Sequence, residues 1–454
     1  MRYFPHTAEE IAAMLAAAGL SALDDLFSSV PEQARAKRPL ELDPPLDETS
    51  LMRHLGELGA RNRASEMLSF LGAGAYDHFV AQAVDQLLLR SELYTAYTPY
   101  QPEVAQGTLQ LIFEFQTVAS EILGLPVANA SMYDASSAAA EAVLMARRLT
   151  RRDRTLVSGC VHPQHVETIA TYTQAIDEGR KRLVRVPATA GGAPDLAALV
   201  AAIDDTTAAV VVGYPSFLGP AADLRPLAQA AHDKGALLVT STLDPYALAI
   251  LEPPGALGAD IAVAEGQPLG LPPHFGGPGV GLFACQRDRK FLQQVPGRLV
   301  GETVDRNGKT GYVLTLATRE QHIRRERATS NICTNSGLCA AAVTINQCLL
   351  GKRGFIETAE QCLAKAEYLK AKIALLAGYR IASAEPTFNE MTAAVRGGDA
   401  AALCAALERQ GILAGLDLGR LDPARSGELL VAVTEKHARA DLDRLVAALE
   451  AYHP

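Results

Sequence analysis

The sequence predicts an α/β protein with a mostly parallel sheet and helices on both of its faces. Between residues 107 and 285, short apolar stretches alternate with amphipathic stretches of helical period, which is the order of βαβ units. After residue 320 the pattern changes to helical stretches with short strands such as YRIASA and LLVAV. This change adds a smaller α+β domain at the carboxyl end.

The chain is long enough for more than one folding unit, since 454 residues exceed the usual size of a single core. We expect N-terminal helices and an extended arm over residues 1–70, a large α/β domain over 71–320 and a small α+β domain over 321–454. Thr7 and Glu10 form a capping-box pattern ahead of the first helix. The stretch rich in proline and charge that follows this helix predicts the arm.

Each predicted element follows from apolar periodicity and from the turn residues beside it. Predicted helices cover residues 50–62, 76–92, 107–123, 136–149, 164–176, 195–203, 224–235 and 336–354. Predicted strands cover residues 154–159, 181–187, 208–215, 237–244, 260–266 and 279–285. Ligands of such sheets gather beyond the carboxyl ends of the strands. We therefore expect a site in the loops after Gly213, Leu243 and Ala264.

Composition argues against several classes of protein. The formal net charge of -9 argues against a broad nucleic-acid surface, which needs a basic face. The 7 cysteines are scattered without a C-x-x-C pair, so neither a disulfide framework nor a metal site is indicated. The amino terminus does not resemble a secretory signal, and no uncharged apolar run of about 18 residues occurs. We expect a cytoplasmic protein that does not span a membrane.

Two short patterns in the large domain have the chemistry of a cofactor site. Ser136 and Ser137 lie at a predicted helix start, where backbone N–H groups and the helix dipole attract a phosphate. Asp244 ends a predicted strand, where a carboxylate can hold a protonated ring nitrogen. Each pattern also has a plainer explanation, an N-cap for the serines and an Asp-Pro turn for Asp244. The patterns alone favour the plainer explanations.

Two polar segments are rich in hydroxyl, amide and guanidinium groups. The first, ELYTAYTPYQPEVAQG, spaces Tyr94, Tyr97 and Tyr100 by three within sequence that prolines interrupt, so they do not form a helix stripe. The second, TREQHIRRERATSNICTN, carries five basic side chains ahead of a potential N-cap between Ser330 and Asn335. This segment suits an anion site or a subunit contact and, equally, a solvated charged turn.

Taken in order, several strings of the sequence resemble the P proteins of the glycine cleavage system. They are FLGAGAYDH, YTAYTPYQPEVAQGTLQ, FEFQT, ANASMYD, EPPGALGADIAVAEGQPLG, FGGPGVG, PGRLVGET and TREQHIRRERATSNICT. The resemblance implies the fold-type I, aspartate-aminotransferase-like architecture of pyridoxal-phosphate (PLP) enzymes, which agrees with the predicted sheet. Such P proteins occur as one long chain of two homologous halves or as two subunits. A chain of 454 residues resembles the alpha-type half standing alone.

One departure from the PLP-carrying half concerns the lysine that binds the cofactor. In that half the lysine precedes the Gly-rich loop, and Gln267 stands at the matching position here. No lysine lies between Lys234 and Lys290, and an amide nitrogen is not a nucleophile that forms a Schiff base. The expected remnants of a cofactor pocket are Ser136, Ser137, Asp244 and Gln267.

The resemblance implies one subunit of a heteromeric glycine dehydrogenase (aminomethyl-transferring). A beta-type partner subunit would hold PLP covalently. The assembly would decarboxylate glycine, release CO2 and pass the aminomethyl group to the lipoamide of H protein. In fold-type I dimers the neighbouring subunit completes each site. The residues expected to face the partner's cofactor or substrate are Tyr94, Tyr97, Tyr100, Arg325, Ser330, Asn331 and Thr334.

Two other functions stay open from the sequence. An independent PLP-dependent lyase or aldolase would use a lysine elsewhere, and borohydride reduction would then leave a pyridoxyl adduct on the isolated chain. A non-catalytic scaffold would only stabilise the PLP-bearing subunit or dock H protein. The polar segments hold more functional side chains than packing needs, which favours a catalytic subunit.

Overall fold

The computed structural model describes residues 5–36, 38, 40–176 and 181–454. The chain divides into two compact units, residues 1–65 and 66–454. Lys37 and Pro39 of the predicted arm lie outside the described residues. The predicted boundaries near residues 70 and 320 stay a prediction.

The described residues of the N-terminal unit include the α-helices α1 (Ala8–Ala17) and α2 (Glu48–Gly59). The predicted capping box at α1 is confirmed: the Thr7 hydroxyl accepts from the Glu10 N–H, and the Glu10 carboxylate accepts from the Thr7 N–H at 2.7 Å. Among its described residues, none is buried.

The larger unit contains the predicted sheet. The strands described in this unit, which belong to several sheets, are β1 (Leu68–Ser69), β2 (Val127–Ala128), β3 (Arg154–Ser158), β4 (Leu183–Val186), β5 (Thr207–Gly213), β6 (Leu237–Thr242), β7 (Ile261–Glu265), β8 (Gly281–Cys285), β9 (Leu299–Val304), β10 (Thr310–Thr315), β11 (Arg380–Ile381), β12 (Glu390–Ala394), β13 (Ile412–Leu413), β14 (Leu416–Asp417) and β15 (Glu428–Ala432). The 7-stranded sheet has the order β2-β8-β7-β6-β5-β3-β4. Strands β3 to β7 are parallel to one another, and β8 runs antiparallel to β7 and β2. The predicted mostly parallel sheet is confirmed.

Helices cover both faces of this sheet. The α-helices described in the larger unit are α3 (Gln82–Leu88), α4 (Ser91–Tyr94), α5 (Gln106–Leu123), α6 (Ala135–Thr150), α7 (Pro163–Thr173), α8 (Leu196–Ala202), α9 (Arg225–Asp233), α10 (Arg289–Gln294), α11 (Gln321–Arg324), α12 (Gly337–Ala374), α13 (Ala400–Glu408) and α14 (Arg439–Ala451). Alternate residues of β5 enter two different cores: Val210 and Val212 pack with α5, α9 and α12, whereas Ala209 and Val211 pack with the alanines of α6. A strand buried on both faces is continuously apolar for this reason.

The carboxyl-terminal part forms a second, antiparallel sheet of the order β11-β12-β15-β14. It shares an apolar core with α13, α14 and the second half of α12. Gly351 divides α12, because its φ of 59° and ψ of -178° are not helical. Within the part of the chain that the structure describes, no helix combines the length and apolarity needed to cross a membrane.

One predicted element starts later than expected. The helix predicted over residues 76–92 begins only at Gln82, because residues 70–79 form an irregular segment with a turn at Ala73 and Gly74. Tyr76 and His78 in this segment are buried and bonded to residues far away in sequence. Those tertiary contacts outweigh the local helical period. We refer to residues 70–79 as the crossing segment.

Candidate functional site

Gln267, the residue expected at the lysine position, follows β7 and is 8% exposed. Its Oε1 accepts from the Tyr76 N–H, and its Nε2 donates to the Tyr76 carbonyl, both at 3.1 Å. The amide thus serves as donor and acceptor to one residue of the crossing segment, and Nε2 also donates to the Leu271 carbonyl. A lysine ammonium has no acceptor, so it cannot replace this bridge.

Asp244 lies just beyond β6, at the carboxyl edge where we expect a site, and it is buried. Its Oδ2 is 3.0 Å from His78 Nε2 and accepts from Asn389 Nδ2 at 2.6 Å. Its Oδ1 accepts from the Tyr246 N–H at 3.1 Å. On the far side of the imidazole, His78 Nδ1 is 2.7 Å from Glu435 Oε2. The His78 ring therefore stands between two carboxylates.

This arrangement makes His78 a buried cation. Burial alone lowers the pKa of His78, but Asp244, together with hydrogen bonds from its neighbours, raises it well above the usual value. Burial acts against ionisation of Glu435 as well, yet the hydrogen bond and charge of His78 lower the pKa of Glu435 to about 2. Each charge thus stabilises the opposite charge beside it.

Cys362 adds a thiol to this cluster. The ligand atoms of His78, Cys362 and Glu435 lie within 4.8 Å of one another, which is the spacing of a metal site. A metal needs a nitrogen lone pair, and both ring nitrogens of His78 are already engaged with carboxylates. Burial also raises the pKa of the Cys362 thiol to about 11, away from the thiolate that binds metals. The cluster is better described as a charge network.

The start of α6 is occupied by carboxylates. Asp134 is the N-cap: its Oδ1 accepts from the Ser137 N–H at 2.7 Å and from the Ser136 hydroxyl at 2.6 Å. Glu265 Oε2 accepts from the Ala135 N–H at 3.0 Å. Burial raises the pKa of Glu265 to about 7. The N–H groups that would bind a phosphate are used by anionic side chains of the chain itself.

The residues present do not fit PLP in the chain's own pocket. A PLP site needs a lysine amine, a carboxylate for the ring nitrogen and free N–H groups for the phosphate. Gln267 replaces the amine, Asp244 is paired with His78, and the helix start is capped. The space left beside Asp244 is about 20 Å³, which holds about one water molecule.

Three of the predicted interface residues line a second cavity, which is open. Tyr94, Tyr97 and Thr334 border a space of about 270 Å³, together with apolar side chains such as Leu111 and Leu338. Tyr94 and Tyr97 are 66% and 72% exposed, unusually high for tyrosine. We refer to this space as the tyrosine cavity.

The other predicted residues do not line the tyrosine cavity. Tyr100 accepts from Arg298 Nη2 at 3.1 Å, and its ring lies 5.3 Å from the guanidinium carbon. The Ser330 hydroxyl accepts from the Gly297 N–H at 3.2 Å. The amide of Asn331 accepts from Gln321, and the exposed Arg325 has a positive φ of 51°. Whether these residues contact a partner stays a prediction.

The sequence patterns did not single out several residues that organise the two regions. They are His78, Glu265, Arg298, Asn389, Glu390 and Glu435. Arg298 is buried and forms an ion pair with Glu320 at 3.3 Å. His78 and Arg298 lie in the strings FLGAGAYDH and PGRLVGET, so the resemblance was the available signal.

Comparisons with known proteins agree on one family. The model of the family "glycine cleavage system P-protein" matches residues 1–449. A protein of Sorangium cellulosum, described as probable glycine dehydrogenase (decarboxylating) subunit 1, is 68% identical over 100% of both chains. A protein of Anaeromyxobacter dehalogenans with the same description is 49% identical over 96% of this chain and 97% of its own length.

Solved structures agree with the same fold. A crystal structure of glycine decarboxylase (P-protein) of the glycine cleavage system, in inhibitor-bound form, superposes with a TM-score of 0.86 at 42% identity, covering 99% of each chain. Sphingosine-1-phosphate lyase of Burkholderia pseudomallei shares the fold alone, with a TM-score of 0.63 at 16% identity over 93% of each chain. The predicted fold-type I architecture is confirmed. The chain belongs to the P-protein family of the glycine cleavage system, a family of PLP-dependent enzymes.

Proposed function

We propose that this chain is the lysine-free subunit of a two-subunit glycine decarboxylase. With a PLP-bearing partner subunit it decarboxylates glycine, releases CO2 and transfers the aminomethyl group to the lipoamide of an H protein. The family and the "subunit 1" descriptions of its relatives support a subunit of glycine dehydrogenase (decarboxylating). The cytoplasmic location stays a prediction.

The observation that carries the proposal is the position of Gln267. The chain has the fold of a PLP enzyme, yet an amide stands at the lysine position and is bonded on both sides to Tyr76. A Schiff base needs a primary amine. The cofactor is therefore supplied by another polypeptide.

The tyrosine cavity is the part of this chain best suited to face the partner's site. PLP held by the partner supplies an electron sink for decarboxylation. The hydroxyls of Tyr94, Tyr97 and Thr334 can donate to or accept from polar groups that enter the cavity. Once a partner subunit covers the cavity, its apolar walls would exclude water and so strengthen those contacts.

Arg298 is a positioning residue in this proposal. It donates to Tyr100 and to the Thr98 hydroxyl at 3.3 Å, and it is paired with Glu320. Because its charge is already neutralised, it does not hold the glycine carboxylate tightly. Tight binding of that carboxylate would stabilise the ground state and oppose loss of CO2.

Reconstitution tests the proposal. The chain and its partner subunit are assayed separately and together for CO2 release from labelled glycine, with lipoylated H protein present. We expect release only from the mixture, and a borohydride-stabilised pyridoxyl adduct only on the partner. Turnover by this chain alone, with an adduct on one of its own lysines, would establish the independent lyase instead.

The scaffold alternative predicts a different result. A scaffold would be dispensable for catalysis once the partner is folded, so the partner alone would release CO2 at the full rate. Variants of the tyrosine cavity would then bind the partner and keep full activity. The exposed tyrosines favour the catalytic subunit, because packing does not require them.

A further inference from the structure

We infer that the crossing segment is a built-in occupant of the chain's own cofactor pocket, and that the His78 ring takes the place of a cofactor's protonated ring nitrogen against Asp244. The inference concerns this chain's own pocket and stands apart from the proposed function, because it makes no use of the partner or of glycine. It rests on the fold, on the position of Asp244 and on the contacts of the crossing segment.

The crossing segment is held firmly along its length. The Ala73 N–H and the Tyr76 hydroxyl donate to the Glu390 carboxylate at 2.6 and 2.7 Å. The Phe79 N–H donates to Glu435 Oε1 at 2.6 Å. These anchors, with the Gln267 bridge, come from elements of both sheets. A segment bonded in this way is a permanent part of the fold and not a mobile lid.

The groups around His78 define the kind of ligand that the position accepts. Asp244 and Glu435 face its two nitrogens, and the Tyr246 ring lies 4.7 Å from the imidazole centroid. The Cys362 thiol donates to Glu435 Oε2 at 3.5 Å. Two carboxylates and an aromatic wall suit a flat, cationic nitrogen heterocycle, which is the class of both an imidazolium and a pyridinium ring.

Deleting the His78 side chain therefore recreates a site for a small cationic ring. In the full-length variant His78→Gly, the buried Asp244 and the partly buried Glu435 lose their cation, and we expect the melting temperature to fall by several degrees. Millimolar imidazole should restore at least half of this loss. Restoration should weaken as pH rises and imidazole becomes neutral. 1-Methylimidazole, which cannot donate from both nitrogens, should restore less.

His165 provides a matched control. It is also buried, but its Nδ1 is 3.0 Å from the Ser241 hydroxyl, and burial lowers the pKa of His165 to about 3. His165→Gly leaves a cavity that suits a neutral ring. Any rescue of this variant by imidazole should therefore strengthen as pH rises, opposite to His78→Gly.

Further measurements keep the inference testable if His78→Gly does not fold. His78→Gln keeps a hydrogen-bond donor without the charge and should be less stable than the unmodified chain. Nitrogen NMR of the unmodified chain should show both ring nitrogens of His78 protonated at pH 8. The unmodified chain should also show no change in melting temperature with added PLP.

Four results would overturn the inference. They are equal rescue of His78→Gly by a neutral ring, full stability of His78→Gln, a neutral His78 ring at pH 8, or saturable stabilisation of the unmodified chain by PLP. None of these measurements involves the partner subunit or glycine. Their outcome is therefore independent of the reconstitution result that tests the proposed function.

Discussion

The pocket beside Asp244 and the tyrosine cavity differ in how far their polar groups are already bonded within the chain. In the first, Gln267, Asp244 and the start of α6 are all bonded to side chains or backbone of the same chain. In the second, Tyr94 and Tyr97 are more than half exposed around an open space. In the pocket beside Asp244 the polar groups are already paired within the chain. In the tyrosine cavity the exposed hydroxyls can still bond to a ligand or a partner.

For the proposed lysine-free subunit, the difference shows how the fold can be kept without a covalently bound cofactor. A buried carboxylate such as Asp244 is costly without a cation, because water no longer solvates it. His78 supplies that cation from within the chain. Polar groups at the surface carry no such cost, so the tyrosine cavity can remain open until a partner covers it.

The largest expected effect on stability comes from removing the Asp244 carboxylate. Asp244→Ala leaves the His78 cation and Asn389 without their acceptor, and we expect the free energy of unfolding to fall by roughly 3–5 kcal/mol. Urea unfolding followed by circular dichroism measures the loss. Asp205→Ala, on a side chain that is 87% exposed, is the control and should leave the midpoint unchanged. An unchanged midpoint for Asp244→Ala would show that the network is dispensable.

The second prediction concerns pH. Burial raises the pKa of Glu390 to about 7 from 4.5, so the folded state binds this proton more tightly than the unfolded state. Its stabilising contribution is full below pH 4.5 and is lost as pH rises through about 7. Glu390→Gln should therefore flatten the decline in stability between pH 5 and 8, by an order of a few kcal/mol at most.

Urea midpoints at both pH values test this, with the exposed Glu57→Gln as the control that keeps the decline. A decline in Glu390→Gln as steep as in the unmodified chain would mean that the Glu390 proton does not contribute.

Gln267→Lys tests whether the pocket beside Asp244 lacks only an amine. The variant places a primary amine at position 267 while the crossing segment stays in place. The Tyr76 N–H loses its acceptor, so the free energy of unfolding should fall by about 1–3 kcal/mol. PLP followed by borohydride should give no adduct at residue 267, since the crossing segment still occupies the site. The control is Gln294→Lys, on the short helix α10. A stoichiometric adduct at residue 267 would show that only the amine was missing.

The smallest expected effect lies in the open region. Tyr97→Ala should lower kcat/KM for glycine in the reconstituted assembly roughly 10-fold, which is about 1.4 kcal/mol of transition-state stabilisation. Stability should barely change, because Tyr97 is 72% exposed. Leu375→Ala, at a residue that is 82% exposed, serves as the control. Normal kinetics for Tyr97→Ala would remove the tyrosine cavity from the proposed site.

Much of the fold could be predicted from periodicity. The predicted helix over 107–123 and strand over 237–244 lie within a residue or two of α5 and β6. One exception was the crossing segment, where a helical period occurs in an irregular stretch of chain, and another was the pair of strands β9 and β10, which was not predicted. The backbone bonds of the crossing segment go to Glu390, Gln267 and Glu435, and such partners leave no trace in a local window.

The candidate site was predicted unevenly. The sequence pointed to Asp244, Gln267 and the serines of α6, and the structure shows each of them bonded to other groups of the same chain. The sequence also grouped Tyr94, Tyr97 and Thr334, which line one cavity although Thr334 lies more than 200 residues from the two tyrosines. Arg298 and His78 were missed, since a single charged or imidazole side chain among apolar residues has no periodic signature.

By itself, the sequence determined the family, most of the order of strands and helices between residues 107 and 285, and the absence of an amine at position 267, because these follow from residue identity and spacing. Only the tertiary structure decided that the cofactor pocket is filled. The His78 imidazole meets Glu435 across 357 positions of the chain, and such a meeting depends on how the two sheets pack. Electrostatic attraction depends on the distance between charged groups in space. Pairs that are distant in sequence, such as His78 and Glu435, can therefore be identified only from the folded structure.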